Sequence, residues 1–255
     1  MHNPSAAQNG RRGYSLADDS KPPLLTRPYE SADRMSKRGE ADTIALAPAS
    51  LSAKAYEVIR DMLTSIVIYP GEPLNEGLLA KQLNMGRTPV REALKRLEAE
   101  RLVVIYPRRG IFATEVHDID LGRLSEVRRL LEGEAAYQAA TRAFRSDRSE
   151  LLTLLGEASN RVPGVTAEID FDTRVHRAIY RASHNYYLEG TLTQYYNLTI
   201  RIWNIWEERL PVMSDHVSEL IPLLECILSR DADEARTIAV AHVAAFQASI
   251  DRRKA

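Results

Sequence analysis

Apolar residues recur at helical spacing from Leu51 onward. In the segment LSAKAYEVIRDMLTSIVI they return every three or four positions, which predicts an amphipathic helix that ends at the turn sequence YPGE. A second, short helix is predicted over NEGLLAKQLNM, with Leu78, Leu79 and Leu83 facing inward. The tight turn NMGR separates this helix from a third one.

Two residues mark the start of the third predicted helix. Thr88 is a good N-cap residue, and Pro89 suits the first helical position, because an N–H there would have no helical partner. Val90, Leu94 and Leu97 would face the core. The segments VVIY and IFAT follow, joined by PRRG, and their β-branched and aromatic residues predict a two-stranded hairpin.

The two ends of the chain differ from this middle part. Residues 1–47 have no sustained period, and with seven basic against six acidic residues we interpret them as a disordered arm without specific contacts. Residues 117–255 have helical spacing throughout, including one helix over 215–229, which predicts an antiparallel bundle of about six helices. The predicted fold class is therefore mainly α, with a small three-helix and hairpin domain over 48–116 and the bundle over 117–255.

Charge is distributed unevenly between these parts. The net charge of the chain is −1, but residues 51–116 carry ten basic against eight acidic residues, and residues 117–255 carry seventeen against twenty-one. Eight of the basic residues fall within 81–109, where only three residues are acidic. A basic module followed by an acidic one favours a nucleic-acid partner for the first.

Composition sets the expected compartment. Cys226 is the only cysteine and lies in the apolar run LIPLLECIL, so we expect a buried thiol and no disulfide, as in a reducing cytoplasm. We expect no membrane span, because the chain has no run of about 18 apolar residues. The N-terminus lacks the apolar core of a secretory signal.

The order helix, helix, tight turn, helix, hairpin is that of a winged helix-turn-helix, whose third helix lies in the major groove of DNA. Arg87 lies just before this helix, and Arg91 and Lys95 are four residues apart, so these two share a face away from the core leucines. A guanidinium can bond guanine O6 and N7 in a bidentate manner or grip phosphate. For any single arginine, a solvated charged face is the alternative interpretation.

The hairpin tip carries two further arginines. Arg108 and Arg109 lie where a wing meets the DNA backbone or minor groove, and Gly110 allows an unusual backbone conformation there. The predicted DNA contacts are therefore Arg87, Thr88, Pro89, Arg91, Lys95, Arg108, Arg109 and Gly110.

The stretch PGEPLNEGLLAKQLNMGRTPVREALKRLEAERLVVIYPRRGIF resembles the N-terminal domain of GntR-type transcriptional regulators, most specifically in RTPVREALKRLE. The resemblance implies that Arg87, Thr88, Arg91, Arg109 and Gly110 occupy positions that contact DNA in the family. The stretches EVRRLLEGEAA, DFDTRVHRAIYRASHN and LSRDADEARTIAVAHV resemble, in order, the FCD effector domain of the FadR subfamily. A count of six rather than seven helices resembles its VanR-like group.

Asp172 and His176 are four residues apart and share one helix face, and His242 lies on the apolar face of the last helix. Such groups are costly inside a bundle unless they are paired or bind a metal, and zinc, nickel or a similar divalent ion suits them. A hydrogen bond between His176 and Asp172 is the alternative. The family resemblance implies a site of one Asp and three His, three of which match.

The residue at the family's fourth metal-ligand position is not a histidine in this sequence. The usual spacing from His242 leads to Leu220, and the nearest histidine is His216, one helical turn earlier. Pro222 is comfortable only in a first helical turn, so the sequence leaves open whether His216 turns inward or lies in a loop.

A small organic acid is the expected effector of this domain. The resemblance implies that Arg128, within EVRRLLE, points into a cavity and meets an effector carboxylate, which a guanidinium binds well. A salt bridge to Glu132, four residues on, is the alternative. Tyr180, Asn185, Tyr195, Arg201 and Trp203 are candidates to line the same cavity, although aromatic residues at helical spacing are also typical of plain core.

The sequence therefore predicts a ligand-responsive DNA-binding regulator, a homodimer on a palindromic operator. The resemblance implies a repressor released by a small carboxylate. The alternative is a metal-dependent enzyme using the Asp/His cluster, against which stands the lack of a general-base signature such as H-E-x-x-H. A structural DNA-binding protein without a ligand is a third hypothesis, which the buried polar cluster disfavours.

Overall fold

The computed structural model describes residues 50–117, 119–158, 164–205 and 213–254, and the arm predicted over 1–47 lies outside these residues. Residues 50–255 group as one compact unit. The described helices are α1 Leu51–Thr64, α2 Glu76–Gln82, α3 Arg87–Ala99, α4 Asp120–Arg142, α5 Arg145–Ala158, α6 Val165–Ala182, α7 Tyr186–Ile205, α8 Met213–Ser218, α9 Leu220–Ser229 and α10 Ala232–Lys254. The strands are β1 Pro73–Leu74, β2 Val103–Tyr106 and β3 Gly110–Ala113. The predicted mainly α class is confirmed.

The winged part, residues 50–117, is built around the contact of α1 with α3. Ile59 and Met62 of α1 and Leu94 and Leu97 of α3 are fully buried, which is the inward face that the spacing predicts. The predicted hairpin is present, with Val103 opposite Ala113. No sequence signal predicted β1, which adds a third strand on the other side of β3 in the order β1-β3-β2.

Helix α3 begins two residues earlier than the sequence suggests. Its N-cap is Gly86 and its first residue is Arg87, so the N-cap prediction for Thr88 is wrong. Pro89 is then the third helical residue rather than the first. It is tolerated because the first N–H groups of a helix lack intrahelical partners.

Helix α2 buries Leu79 and Ala80 and leaves Leu78 42% exposed. The prediction that Leu78 faces inward is therefore wrong. A helix of seven residues has fewer than two full turns, too few for its apolar spacing to define one face.

The helical part, residues 119–254, is organised around α4 and α10, which lie side by side over much of their length. Small residues allow this close approach: Ala136 and Ala139 of α4 and Ala235 of α10 are buried. A Cβ built on Gly133 would lie 2.8 Å from Val240 Cγ2, so a larger residue there would push the two helices apart.

The single helix predicted over 215–229 is two helices, α8 and α9, with a break at Glu219. Pro222 is the third residue of α9, where its missing N–H costs no helical hydrogen bond, so the chain restarts its helix just before the proline. The described helical part therefore holds seven helices rather than about six, and the helix count does not support the VanR-like assignment.

Helix α7 joins the helical part to the winged part. The guanidinium of Arg201 donates from Nη1 to Thr114 Oγ1 at 2.6 Å and from Nη2 to the Thr114 carbonyl at 2.7 Å. One turn later, Asn204 Nδ2 donates to the Thr64 carbonyl at 2.8 Å, at the end of α1. The predicted boundary at 116–117 lies between β3 and α4, next to this junction. None of the helices in the described ranges is long and apolar enough to span a bilayer.

Candidate functional site

The exposed face of α3 carries the predicted recognition residues. Arg87, Thr88, Arg91 and Lys95 are all solvent-exposed, on the side of the helix opposite its buried leucines. The first turns of α2 and α3 and the wing enclose a shallow groove lined by Leu74, Asn75, Glu76, Gly77, Arg87, Gly110 and Ile111. The fold therefore brings the start of the third helix and the wing, 23 residues apart in sequence, to one surface.

The wing tip is a tight turn in which the Arg109 amide donates to the Tyr106 carbonyl at 3.1 Å. Gly110 has φ 109°, a conformation that favours glycine, as the sequence predicts. Arg108 has φ 62°, where a residue with a side chain costs about 1–2 kcal/mol. A strained, exposed arginine at a loop tip is the kind of outlier from which a contact function can be inferred.

A second site lies inside the helical part, where four side chains converge. Asp172 and His176 come from α6, His216 from α8 and His242 from α10, and all four are buried. Asp172 Oδ1 lies 3.4 Å from His216 Nε2, 3.7 Å from His176 Nε2 and 3.8 Å from His242 Nε2. The Nε2 atoms of His176 and His242 are 3.4 Å apart. We call these four residues the interior cluster.

The break between α8 and α9 answers the question that the sequence left open for His216. Its ring turns inward and stacks on the His242 ring, with centroids 4.0 Å apart. Leu220, which occupies the family's usual ligand position, is fully buried among apolar residues instead. The cluster therefore has three histidines, one of them from a shifted position.

Carboxylates outside the cluster fix the orientation of two imidazoles. Glu132 Oε2 lies 2.9 Å from His176 Nδ1, and Glu219 Oε2 lies 3.0 Å from His242 Nδ1. A carboxylate can only accept at neutral pH, so each Nδ1 carries the proton and each Nε2 lone pair faces the cluster. Metal-ligating histidines have this outer arrangement almost without exception.

The centre of the cluster has unsatisfied atoms. Asp172 Oδ1 and His216 Nε2 are buried, and although they lie 3.4 Å apart, neither makes a hydrogen bond of good geometry among the described residues. In tetrahedral zinc sites the donors lie about 2.1 Å from the ion and hence about 3.4 Å from one another, close to the 3.4–3.8 Å that separate Asp172 Oδ1 from the three Nε2 atoms here. Asp172, His216 and His242 together satisfy the spacing of a metal site, and the donor set fits a divalent cation.

The pKa shifts of His242 and Asp172 favour a bound cation, whereas that of His176 opposes one. Burial and the neighbouring His216 ring lower the pKa of His242 to about 4, which keeps this imidazole neutral as a metal ligand must be. Burial disfavours ionised Asp172, yet the His176 imidazole holds the pKa of that carboxyl well below its usual range. For His176, burial acts against protonation, but Glu132 and Asp172 raise its pKa, so a proton competes with a metal at its Nε2.

Two residues that the sequence did not indicate complete the site. Tyr196 on α7 donates its hydroxyl hydrogen to Asp172 Oδ2, and burial together with Asp172 raises the pKa of this tyrosine well above 10. Glu219 lies in the helix break and is the partner of His242. Neither has a sequence signal, because each meets the cluster only through tertiary packing.

For Arg128 the sequence left two interpretations open, an effector contact and a salt bridge to Glu132. It forms the salt bridge with Glu132, donating from Nε at 2.9 Å, but the pair is buried beside the cluster rather than on the surface. Its Nη1 also donates to Thr199 Oγ1 at 3.3 Å. Tyr180 donates to the same Glu132 oxygen at 2.7 Å. Arg128 reaches His176 only through Glu132, whereas the Tyr180 hydroxyl also lies 3.4 Å from His176 Nδ1. The effector contact of both residues stays a prediction.

The other two residues predicted to bind an effector lie elsewhere. Asn185 accepts from the Leu188 amide at 3.3 Å and so caps the start of α7. Arg201 commits both terminal nitrogens to Thr114 in the winged part. Burial lowers the pKa of Arg201 to about 10, and Glu115 opposes this shift. The structure therefore gives Arg201 a connecting position, and a role of either residue in effector binding stays a prediction.

Comparisons with known proteins match both parts of the chain. The profile described as "Bacterial regulatory proteins, gntR family" matches residues 51–113, and that of the FCD domain matches residues 123–245. An HTH-type transcriptional regulator from the TAR-I ttuE-ttuC' intergenic region of Agrobacterium vitis is 34% identical over 134 residues, covering 49% of this chain and 76% of that protein. The Nta operon transcriptional regulator of Aminobacter aminovorans is 29% identical over 71% of this chain and 86% of its own length.

Solved structures show the same architecture. McbR/YncC of E. coli superposes with a TM-score of 0.70 at 23% identity, covering 81% of this chain and 99% of that one. A GntR regulator described as putative, from Rhodococcus sp. RHA1, gives a TM-score of 0.60 at 18% identity, covering 78% and 96%. At these identities the likeness concerns the fold alone.

Proposed function

Because the chain belongs to the gntR family of bacterial regulatory proteins and carries an FCD domain, we propose that its interior cluster controls how α3 and the wing bind an operator. It is a DNA-binding transcriptional regulator. The observation that carries the proposal is the single surface formed by the start of α3 and the wing around one groove. We place the protein with the bacterial nucleoid in the cytoplasm, where such a surface meets DNA.

We infer that the interior cluster holds a divalent cation such as zinc or nickel. Asp172, His216 and His242 would hold it, because their donor atoms lie close together and two of these atoms are unpartnered among the described residues. His176, whose Nε2 lies 3.7 Å from Asp172 Oδ1, is the fourth proposed ligand. When bound, the ion supplies a positive centre that a carboxylate can coordinate. Tyr196 orients Asp172 through its other oxygen, which leaves Oδ1 free to face the ion.

The effector is a small organic acid in this proposal, and its binding releases the protein from DNA as a repressor. Arg128 is buried beside the cluster in its ion pair with Glu132, and its Nη1 donates a long hydrogen bond to Thr199 Oγ1. A carboxylate beside the cluster would meet this guanidinium and the cation together.

The DNA-bound form is a homodimer on a palindromic site in this proposal. One winged helix-turn-helix reads one half-site, and two half-sites related by a dyad require a protein with the same symmetry.

Helix α7 is the proposed connection between the cluster and DNA. It carries Tyr196, which holds Asp172, and, between one and two turns on, Arg201, which holds Thr114. Thr114 in turn donates to the carbonyl of Arg101 at 2.8 Å, just after the recognition helix. A shift of α7 on ligand binding would therefore reach the end of α3 through three consecutive contacts.

Comparison with relatives does not support the enzyme alternative. The chain belongs to a family of regulators, and the relatives named above are regulators too. The Asp/His cluster therefore has its explanation in ligand sensing rather than turnover.

Replacing Arg109 by alanine should weaken binding to specific and random DNA alike. A wing-tip arginine that touches phosphate positions the protein without reading bases, and losing one phosphate contact lowers the salt slope by about 0.9 per protomer. Fluorescence anisotropy with a random duplex between 50 and 200 mM salt measures this. Arg129→Ala, an exposed arginine of α4, is the control for net charge and should leave the slope unchanged. A loss confined to one base position, with an unchanged slope, would contradict the phosphate role.

Replacing Arg201 by methionine should loosen the winged part from α7 while both parts stay folded. The variant loses two hydrogen bonds to Thr114, each worth about 0.5–1.5 kcal/mol, but keeps a side chain of similar length in the buried position. Hydrogen exchange should quicken over residues 111–117 and stay unchanged in α6 and α10. Arg148→Met, which removes an arginine bonded to the Leu228 carbonyl inside the helical part, is the control. Unchanged exchange over 111–117 would remove Arg201 from the proposed connection.

A further inference from the structure

The two arginines at the start of α3 have different surroundings. Arg87 lies against the first turn of α2, since a Cβ built on Gly77 would be 3.5 Å from Arg87 Nη2. The Arg87 guanidinium has no hydrogen bond or ion pair within the described ranges. Arg91 is paired with Glu76, the first residue of α2. The only acidic side chain lining the groove is therefore bonded to one of the two arginines.

The pairing uses one particular edge of the Arg91 guanidinium. Nε donates to Glu76 Oε2 and Oε1 at 3.2 and 3.3 Å, and Nη2 donates to Oε2 at 2.9 Å. A guanidinium has five N–H groups, and this arrangement occupies the Nε–Nη2 edge and leaves both hydrogens of Nη1 and one of Nη2. The free Nη1–Nη2 end still offers two parallel N–H donors, enough to pair with O6 and N7 of guanine.

The pair also removes charge from the DNA-facing surface. Arg91 is 58% exposed and Glu76 is 26% exposed, so both side chains are accessible on the surface that the proposed function assigns to DNA. A carboxylate there repels phosphate and cancels the long-range attraction of the arginine. At the same time it holds a side chain that would otherwise lose much rotamer freedom on binding. Glu76 should therefore weaken the affinity for DNA of any sequence and sharpen the discrimination between bases at one position.

We propose that Glu76 is a specificity-determining residue, which holds Arg91 by its Nε–Nη2 edge and presents the Nη1–Nη2 end to a single guanine. This inference rests on the proposed function, because it concerns the reading of an operator by α3. A purely structural role, in which Glu76 stabilises the N-terminus of α2 through the helix dipole, is the competing explanation. The specificity role predicts that removing Glu76 changes the base preference, whereas the purely structural role predicts that the base preference stays the same.

The test is selection from a pool of duplexes with a randomised core, using the full chain and its Glu76→Ala and Glu76→Gln variants. The wild-type protein should enrich one guanine in each half-site that Glu76→Ala loses, with discrimination at that position falling roughly 10-fold. Binding of Glu76→Ala to random DNA should tighten, and its salt slope should grow by up to about 0.9 per protomer. Glu76→Gln keeps one hydrogen bond and should be intermediate.

Two further variants make the outcome decisive. In an Arg91→Ala background, Glu76→Ala should no longer alter the base preference, since its effect acts through Arg91. Glu150→Gln, which weakens an exposed ion pair with Arg181 in the helical part, should change nothing. An unchanged base preference in Glu76→Ala overturns this inference alone, as does an equal loss of affinity for all sequences. A wild-type protein that enriches no sequence overturns it together with the proposed function.

Discussion

Replacing His242 by alanine is expected to remove most of the affinity of the interior cluster for a divalent cation. His242 comes from α10, whereas Asp172 and His176 share α6, so its loss also removes a ligand that joins these helices. Changing an outer partner of a metal ligand costs 10–100-fold in affinity, so losing the ligand itself should cost more than about 100-fold. At a metal concentration that saturates the parent, this corresponds to about 2.7 kcal/mol of lost stabilisation.

The measurement is thermal unfolding with and without chelator, combined with metal analysis of the purified protein. Chelator should lower the midpoint of the parent by roughly 5–10 °C and leave that of His242→Ala unchanged. His184→Ala is the matched control, because His184 also bonds a carboxylate, Asp147, at 2.7 Å but lies outside the cluster. It should respond to chelator as the parent does. A parent without stoichiometric metal, and indifferent to chelator and to added zinc or nickel, would contradict the metal site.

Replacing Arg91 by alanine is expected to abolish selective operator binding while the fold remains intact. Each lost bidentate base contact costs about 1–3 kcal/mol, and a symmetric dimer loses two. The affinity for a selected duplex should therefore fall at least roughly 30-fold, the lower limit of this range. The side chain is largely exposed and its partner Glu76 can be solvated once it is released, so the unfolding midpoint should change little.

Anisotropy titration with the duplex that the wild-type protein selects measures this loss. Arg181→Ala is the control, since it removes an exposed arginine paired with a glutamate at 2.6 Å in the helical part. Affinity of Arg91→Ala equal to that of the parent would contradict the assignment of α3 as the recognition helix.

Most of the fold follows from spacing along the chain. The apolar positions of α1 and α3 and the β-rich segments of the hairpin are long enough to define a period, so their buried faces were predictable. Strand β1 has two residues and no period, and it forms only because β3 offers an open edge. The face of α2 was mispredicted for the same reason, since seven residues do not define one.

The interior cluster was predictable in part. Asp172 and His176 share a helix face at four-residue spacing, and His242 stands on an apolar face, so three members have a local signal. His216 has none, because its inward position depends on the break that Pro222 imposes on the following helix. The same argument applies to Glu132, which lies 44 residues from His176 and meets it only when α4 packs on α6.

The central claim is that α3 and the wing form a sequence-reading surface. Selection from a randomised duplex pool, followed by sequencing, tests it most directly. The account predicts enrichment of two half-sites related by a dyad, each with a guanine whose enrichment disappears when Arg91→Ala replaces the wild-type protein. No enrichment by the wild-type protein, or the same enriched sequences with Arg91→Ala, would contradict it.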